Sequence, residues 1–281
     1  MITIAWLTIG EAARRRVLWV LVALAIVAVG LTGWGIERLV ALAREEGVEE
    51  LQIRLGVSQV LIFIAFQFGF VLAMTAAFLG SPAIAGDLES GVALALLARP
   101  LRRSSYLLGR WLGLVVVVVA YAAGSAGLAI AITGFVSGYV PPNPLVPVAF
   151  LAAQAVVLLT LTLAFSTRLP PIGGGAVAVV VYGLAWFAGV LGGVGRALDV
   201  DALTTIANAT RYILPTDGLW RGVVYGLEPP FILAMIGNQG AAEGNPFFAS
   251  TPPPLDFLVW CVVWVALVLG VAALSLRRRE L

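Results

Sequence analysis

Six stretches of this 281-residue sequence run for about twenty residues with no acidic or basic side chain in their interiors. They are 17–34, 57–79, 111–136, 146–165, 172–194 and 255–276. A helix rises about 1.5 Å per residue, so about 20 apolar residues cross a ~30 Å hydrocarbon core with their backbone groups paired inside the helix. A charge at the centre of any of them would cost roughly 2.5–3.5 kcal/mol on insertion scales. The expected fold class is therefore an all-α polytopic membrane protein, with six transmembrane helices in a single transmembrane domain over 1–281. Composition agrees: 61% of the residues are hydrophobic and 11% charged, against about a quarter charged in a soluble domain. The first span follows a basic segment, and Ala23-Leu24-Ala25 loosely matches a cleavage site. Its apolar run exceeds the ~7–15 residues of a signal-peptide core, so it is read as a retained span.

The charges exclude several chemistries. All 17 basic residues are Arg, and His is absent. Without Lys there is no Walker A loop, so this chain is not expected to bind or hydrolyse ATP in that way. Without His there is no imidazole metal site and no Ser-His pair. No metal and no cofactor are expected on the chain, and it is read as a non-enzyme. The single cysteine, Cys261, sits in an apolar run and reads as a small buried hydrophobe. A net charge of +2 is too small to suggest nucleic acid.

The distribution of charge sets the orientation. If both termini lie inside, the inner segments hold eleven of the 17 arginines and four of the 15 acids. Positive residues stay on the cytoplasmic side, so both termini are expected to be cytoplasmic. Residues 1–16 are amphipathic, with Ile4, Trp6, Leu7 and Ile9 ahead of Glu11 and Arg14–Arg16. They read as a helix lying in the membrane interface. Residues 37–56 mix Glu45, Glu46, Glu49 and Glu50 with Leu39, Leu42, Val48 and Leu51, which suits an amphipathic extension of span one. The outer segment 196–254 carries two apolar periodicities, Leu203 to Leu214 and Leu219 to Leu227, separated by Pro215. Both predict amphipathic helices on the outer leaflet or dipping into it. Small residues in span three (Ala120, Ala123, Gly124, Gly127) and span five (Gly183, Gly189, Gly192, Gly193) suit close helix packing in lipid.

The informative inner connection is 81–110. Asp87 and Glu89 precede a short apolar run, Leu94, Leu96 and Leu97, as acids suit a helix N-terminus. Pro100 then breaks the helix, and Arg102, Arg103 and Arg110 lead into span three. Topology alone needs only the arginines; the apolar helix with an acidic start suits a docking element for a cytoplasmic partner.

The stretch Asp87-Leu-Glu-Ser-Gly-Val, then Leu96-Leu97-Ala-Arg-Pro-Leu-Arg-Arg, then Leu107-Leu108-Gly-Arg110 resembles the loop between spans two and three of ABC-2 type transport permeases. These are the membrane subunits of a class of ATP-binding-cassette exporters. Val92 stands where the family usually has Thr, and Arg110 where it has Lys. The six-span layout, the inner amphipathic N-terminus and the helical outer segment before span six resemble the family as well. The resemblance implies two permease subunits, as a homodimer or a pair of similar chains, lining a pathway in membrane lipid. It also implies two separate cytoplasmic ATPase subunits, which would hold ATP and Mg²⁺. By the same resemblance Asp87, Glu89 and Gly91 belong to a coupling helix seated in the ATPase groove, flanked by Arg99, Pro100, Arg102 and Arg103. Gln67, Tyr182 and Trp186 are the candidates for lining the substrate pathway. A secondary transporter is the main alternative, but such proteins place ionisable groups inside their spans, and these spans have none. A non-transporting scaffold is the other alternative. Co-purification of a soluble ATPase separates both from a permease.

Overall fold

The computed structural model describes residues 1–93, 102–229 and 245–278. Among the described residues every regular element is an α-helix: α1 (Ile2–Arg14), α2 (Arg16–Glu45), α3 (Glu50–Gly80), α4 (Pro82–Glu89), α5 (Arg103–Ser137), α6 (Leu145–Ser166), α7 (Pro171–Ala197), α8 (Asp201–Ile213), α9 (Thr216–Leu227) and α10 (Leu255–Arg277). Six of them (α2, α3, α5, α6, α7 and α10) are long and apolar enough to cross a membrane, so the chain is an all-α polytopic membrane protein. With an even number of crossings, α1, α4, the α6–α7 turn and the end of α10 share one face, here the terminal face. The α2–α3 turn, the α5–α6 turn and α8–α9 lie toward the opposite, distal face.

The helices overrun their apolar segments in ways the sequence explains. The amphipathic 37–56 stretch is helical on both sides of a turn at Gly47, where φ is +72°. Arg44 and Arg54 stand 3.6 and 3.7 Å from Glu50, but both pairs are exposed. Such pairs contribute about 0–1 kcal/mol, so the hairpin is held by its buried side, Ile36 and Val40 on α2 and Ile53 and Val57 on α3.

The distal segment forms a re-entrant helical hairpin. A Cβ added to Gly195 of α7 would stand 2.7 Å from Leu203, and one on Gly192 would overlap Ala207, so α8 runs back down alongside α7. A Cβ on Gly222 would meet the Phe150 ring at 2.6 Å, and one on Gly226 would meet Pro147 at 2.7 Å. These contacts put α9 on its way up α6 toward the distal face. Gly218 completes a stripe at four-residue spacing and lies against Phe257. Lipid tails are as apolar as the helices, so helices associate in a membrane through this kind of close approach. Trp264 Nε1 donates to the carbonyl of Ile213 at 2.7 Å, and Trp260 Nε1 to that of Tyr212 at 3.0 Å, pinning the hairpin tip. Trp264 is nine residues below the distal start of α10, so the tip dips about 14 Å. Of the small residues noted in the spans, Gly189 and Gly192 receive neighbours, whereas Gly124, Gly127 and Gly183 have open space beside them.

Candidate functional site

Three charged residues of the terminal face, Glu11, Asp87 and Arg15, gather around Arg110, about two turns into α5. Its neighbour Gly109 and the next glycine along that face, Gly113, form a notch for α1. A Cβ at Gly109 would stand 2.7 Å from Ile4 Cβ, and one at Gly113 would stand 2.6 Å from the Ala5 carbonyl and 2.7 Å from Thr8. With α1 seated there, Thr8 and Ala12 are buried while Ile2, Trp6 and Leu7 stay exposed on its other side. An apolar outer face with an exposed Trp suits an interfacial helix.

Seating α1 brings Glu11 to Arg110. Arg110 Nη1 donates to Glu11 Oε2, and Nη2 donates to Asp87 Oδ2 at the end of α4. Tyr106 Oη donates to the same Asp87 oxygen, and the Arg110 guanidinium stands 5.9 Å from the Tyr106 ring centroid. Arg15 Nη2 completes the set at 2.7 Å from Glu11 Oε1. Arg110 and Asp87 are both buried, with side chains 8% and 12% exposed. Burial pushes the Glu11 carboxyl up, but Arg110 and Arg15 outweigh it and hold the group below its ordinary range. Buried charges pay a desolvation cost that only full pairing offsets, and here both forks of the guanidinium are used. One side chain therefore ties three elements together: the interfacial helix, the α3–α4 arm and the third span.

Other terminal-face ends are tied as well. Ser81 Oγ donates to the Pro171 carbonyl at the start of α7. Arg168 Nε donates to Ser275 Oγ at 2.6 Å. Arg103 Nη1 donates to the Leu276 and Arg277 carbonyls, both at 3.1 Å, and so satisfies the otherwise unpaired end of α10.

Asp87 is thus turned inward, toward Arg110. Glu89 is exposed in the last turn of α4, and Gly91 follows at φ +75°, a left-handed conformation that suits glycine. Helix resumes at Val92, which is exposed. The helix expected over Leu94–Leu97, with Arg99 and Pro100, falls outside the described residues. Arg102 is exposed beside α5. The structure joins Asp87 to Arg110, Tyr106 and Glu11 and leaves Glu89, Gly91 and Arg102 outside that cluster. Sequence reasoning read Arg110 as an inner-face charge closing the family-like motif, gave it no partner, and gave Tyr106 no role. The signal available was position: Arg110 is the last charged residue before a span, directly after a glycine.

The pathway candidates separate. Tyr182 is buried, with its hydroxyl 3.5 Å from Gln154 Nε2 beside Gly69. Trp186 packs at a tilt against Phe66 with ring centroids 5.1 Å apart, and Phe66 in turn meets Trp220 and Phe247 edge to face. Gln67 is exposed instead.

Six helices long enough to cross a membrane, with a charged latch at the start of the third, define a polytopic helical membrane protein. Residues 2–281 match the family described as ABC-2 family transporter protein, and the chain belongs to that family. It is accordingly a multi-pass permease subunit of an ABC transporter, a kind of chain that works with ABC ATPase subunits. A search of curated proteins finds no match to the chain.

Proposed function

We propose that two copies of this chain form the substrate pathway of an exporter in a prokaryotic cell membrane. Two separate ATPase subunits, holding ATP and Mg²⁺, seat beneath residues 81–110, with both termini on that cytoplasmic side. The observation that carries this reading is the double grip of Arg110 on Glu11 and Asp87. A force applied to the 81–110 loop passes through Asp87 to α5 and, through Glu11, to α1. Driving a pathway from 1:99 to 99:1 takes about 5.5 kcal/mol of differential binding. That needs a stiff link, which a buried forked ion pair supplies and a solvated loop does not. Exposed Glu89 and Val92 then belong to the surface that meets the ATPase, together with Arg99, Pro100 and Arg102 around it, while Asp87 and Arg103 position that surface from behind.

The pathway residues divide in the same way. Phe63, Gln67, Phe70 and Phe78 are all exposed and form one stripe of α3 at helical spacing. An amide facing lipid lacks hydrogen-bond partners, which favours a second subunit or a wet pathway opposite Gln67. Tyr182 and Trp186 stand behind that stripe and support it.

The test uses the tagged full chain purified with its ATPase. Glu89→Arg is expected to lose the co-purifying ATPase while inserting normally. Asp87→Asn is expected to keep the ATPase but lower substrate-stimulated hydrolysis about tenfold. Wild-type coupling in both variants would overturn the reading.

A further inference from the structure

The distal side of the hairpin holds a cluster that nothing in the ATPase coupling uses. Arg196 in the last turn of α7, Arg211 of α8 and Arg221 of α9 wall a pocket of about 240 Å³, closed by Phe248, Ala249, Ser250 and Thr251. Beneath it lies Asp217, buried against α7 where Gly189 leaves no Cβ in the way. Arg211 Nη2 and Arg221 Nε both reach the same oxygen, Asp217 Oδ2, at 3.4 and 3.5 Å. These contacts are long for charge-assisted hydrogen bonds, and neither guanidinium forks onto the carboxylate. Arg211 Nε is buried and has no acceptor among the described residues. One shared oxygen thus leaves two guanidiniums short of anionic partners, at a depth where an unpaired charge is costly.

We propose that this pocket binds a phosphate-type oxyanion, gripped by Arg211 and Arg221, walled by Arg196 and met by the hydroxyls of Ser250 and Thr251. Donors arriving from three helices and a loop suit a tetrahedral anion better than a flat carboxylate, and guanidinium forks match phosphate oxygens. Glu228 lies behind the pocket, where its Oε2 accepts from the Ala249 N–H at 3.4 Å. Burial pushes its carboxyl up to about 8, so at neutral pH it is mostly uncharged and does not repel the anion. Arg196 is seven residues past Gly189 on α7, about 10 Å nearer the distal end. The mouth therefore lies near headgroup depth, where the anion arrives as a phospholipid headgroup or as free phosphate.

The purified full chain in neutral detergent is titrated with inorganic phosphate at constant ionic strength. In parallel it is placed in nanodiscs of phosphatidylglycerol or of phosphatidylcholine, and Tm is read by tryptophan fluorescence. A ligand bound only by the folded state raises Tm, and a shift of at least about 3 °C is expected. Arg211→Gln and Ser250→Phe are both expected to lose it, the second by filling the mouth without touching the Asp217 pairs. Arg54→Gln, on an exposed distal charge, keeps it. A shift with phosphate in lipid-free protein identifies the free anion. A shift with phosphatidylglycerol alone identifies the headgroup. The proposal is overturned by no shift with either probe, or by an equal shift in Ser250→Phe. That second variant decides the matter should Arg211→Gln fail to fold.

Discussion

At the scale of single residues, two buried ionisable groups, Arg110 and Glu228, stand in opposite situations. Arg110 is satisfied: its fork ends on Glu11 and Asp87. Arg110→Gln strands Asp87 without a counter-charge, and breaking a buried pair in this way costs about 3–5 kcal/mol. For a chain of this size Tm is expected to fall by roughly 10 °C. Arg110→Lys should recover only part of that loss, because a point charge cannot fork between two carboxylates. Thermal melts in detergent check both, and a wild-type Tm in Arg110→Gln would show that the latch bears no load. Glu228 is the unsatisfied case: it is buried, and Oε1 has no partner among the described residues. Burial raises its carboxyl from the ordinary 4.5 to about 8, with the Ala249 N–H pulling back only in part. Between those values the folded chain holds a proton that the unfolded chain has lost, so stability falls as pH rises through the window and levels off above it. Tm should therefore drop from pH 5 to pH 8. Glu228→Gln should flatten that slope, since Glu11 is held below its ordinary range and titrates outside the window. An identical slope in Glu228→Gln would assign the effect to another group.

At the scale of elements, glycine notches decide what lies against what. Gly109 and Gly113 leave room for α1, and that close approach brings Glu11 to Arg110. Gly113→Leu is expected to lift α1 off α5 and release the latch without altering a charge. Trp6 is already exposed, so the readout is a cysteine placed at buried Ala12 in a Cys261→Ser background. It should become reactive to a thiol reagent at least ten times faster in Gly113→Leu; unchanged protection would mean that α1 is seated by something else. This scale also marks where the sequence stops being readable. The spans were legible because a twenty-residue apolar run has few other fates. The helices of 196–254 were legible as amphipathic faces, but periodicity reports a face and says nothing of depth. Whether they lie flat or dip depended on Gly218, Gly222 and Gly226 meeting residues of two distant spans. The latch was hidden for the same reason. Arg110 lies 99 residues from Glu11 and 23 from Asp87, so no local pattern joins them.

At the scale of the whole molecule, one surface stays unexplained by a single copy. Phe63, Gln67, Phe70 and Phe78 of α3 lie beside Val180, Leu184 and Phe187 of α7, all exposed. An apolar cavity of about 510 Å³ opens between the two helices at the terminal face, lined by Phe78, Pro82, Ile172 and Val180 among others. Lipid satisfies the apolar side chains but offers the Gln67 amide no hydrogen-bond partner, which a second copy, as proposed, would supply. In a twofold dimer a residue near the axis meets its own counterpart. Cysteines at Phe63, Gln67 or Phe70, each introduced singly into Cys261→Ser, should therefore form a disulfide-linked dimer in native membranes at one or more of the three positions. The bond requires Cα atoms within roughly 7 Å, so neighbouring turns of α3 test where the axis crosses. Val259→Cys, exposed on α10, serves as the control and should stay monomeric. Dimer at Val259→Cys with none on α3 would move the interface to the other side of the bundle and leave Gln67 facing lipid. Cross-linking on α3 that weakens when ATP is added would place the moving pathway between the two copies, behind which Tyr182 and Trp186 stand.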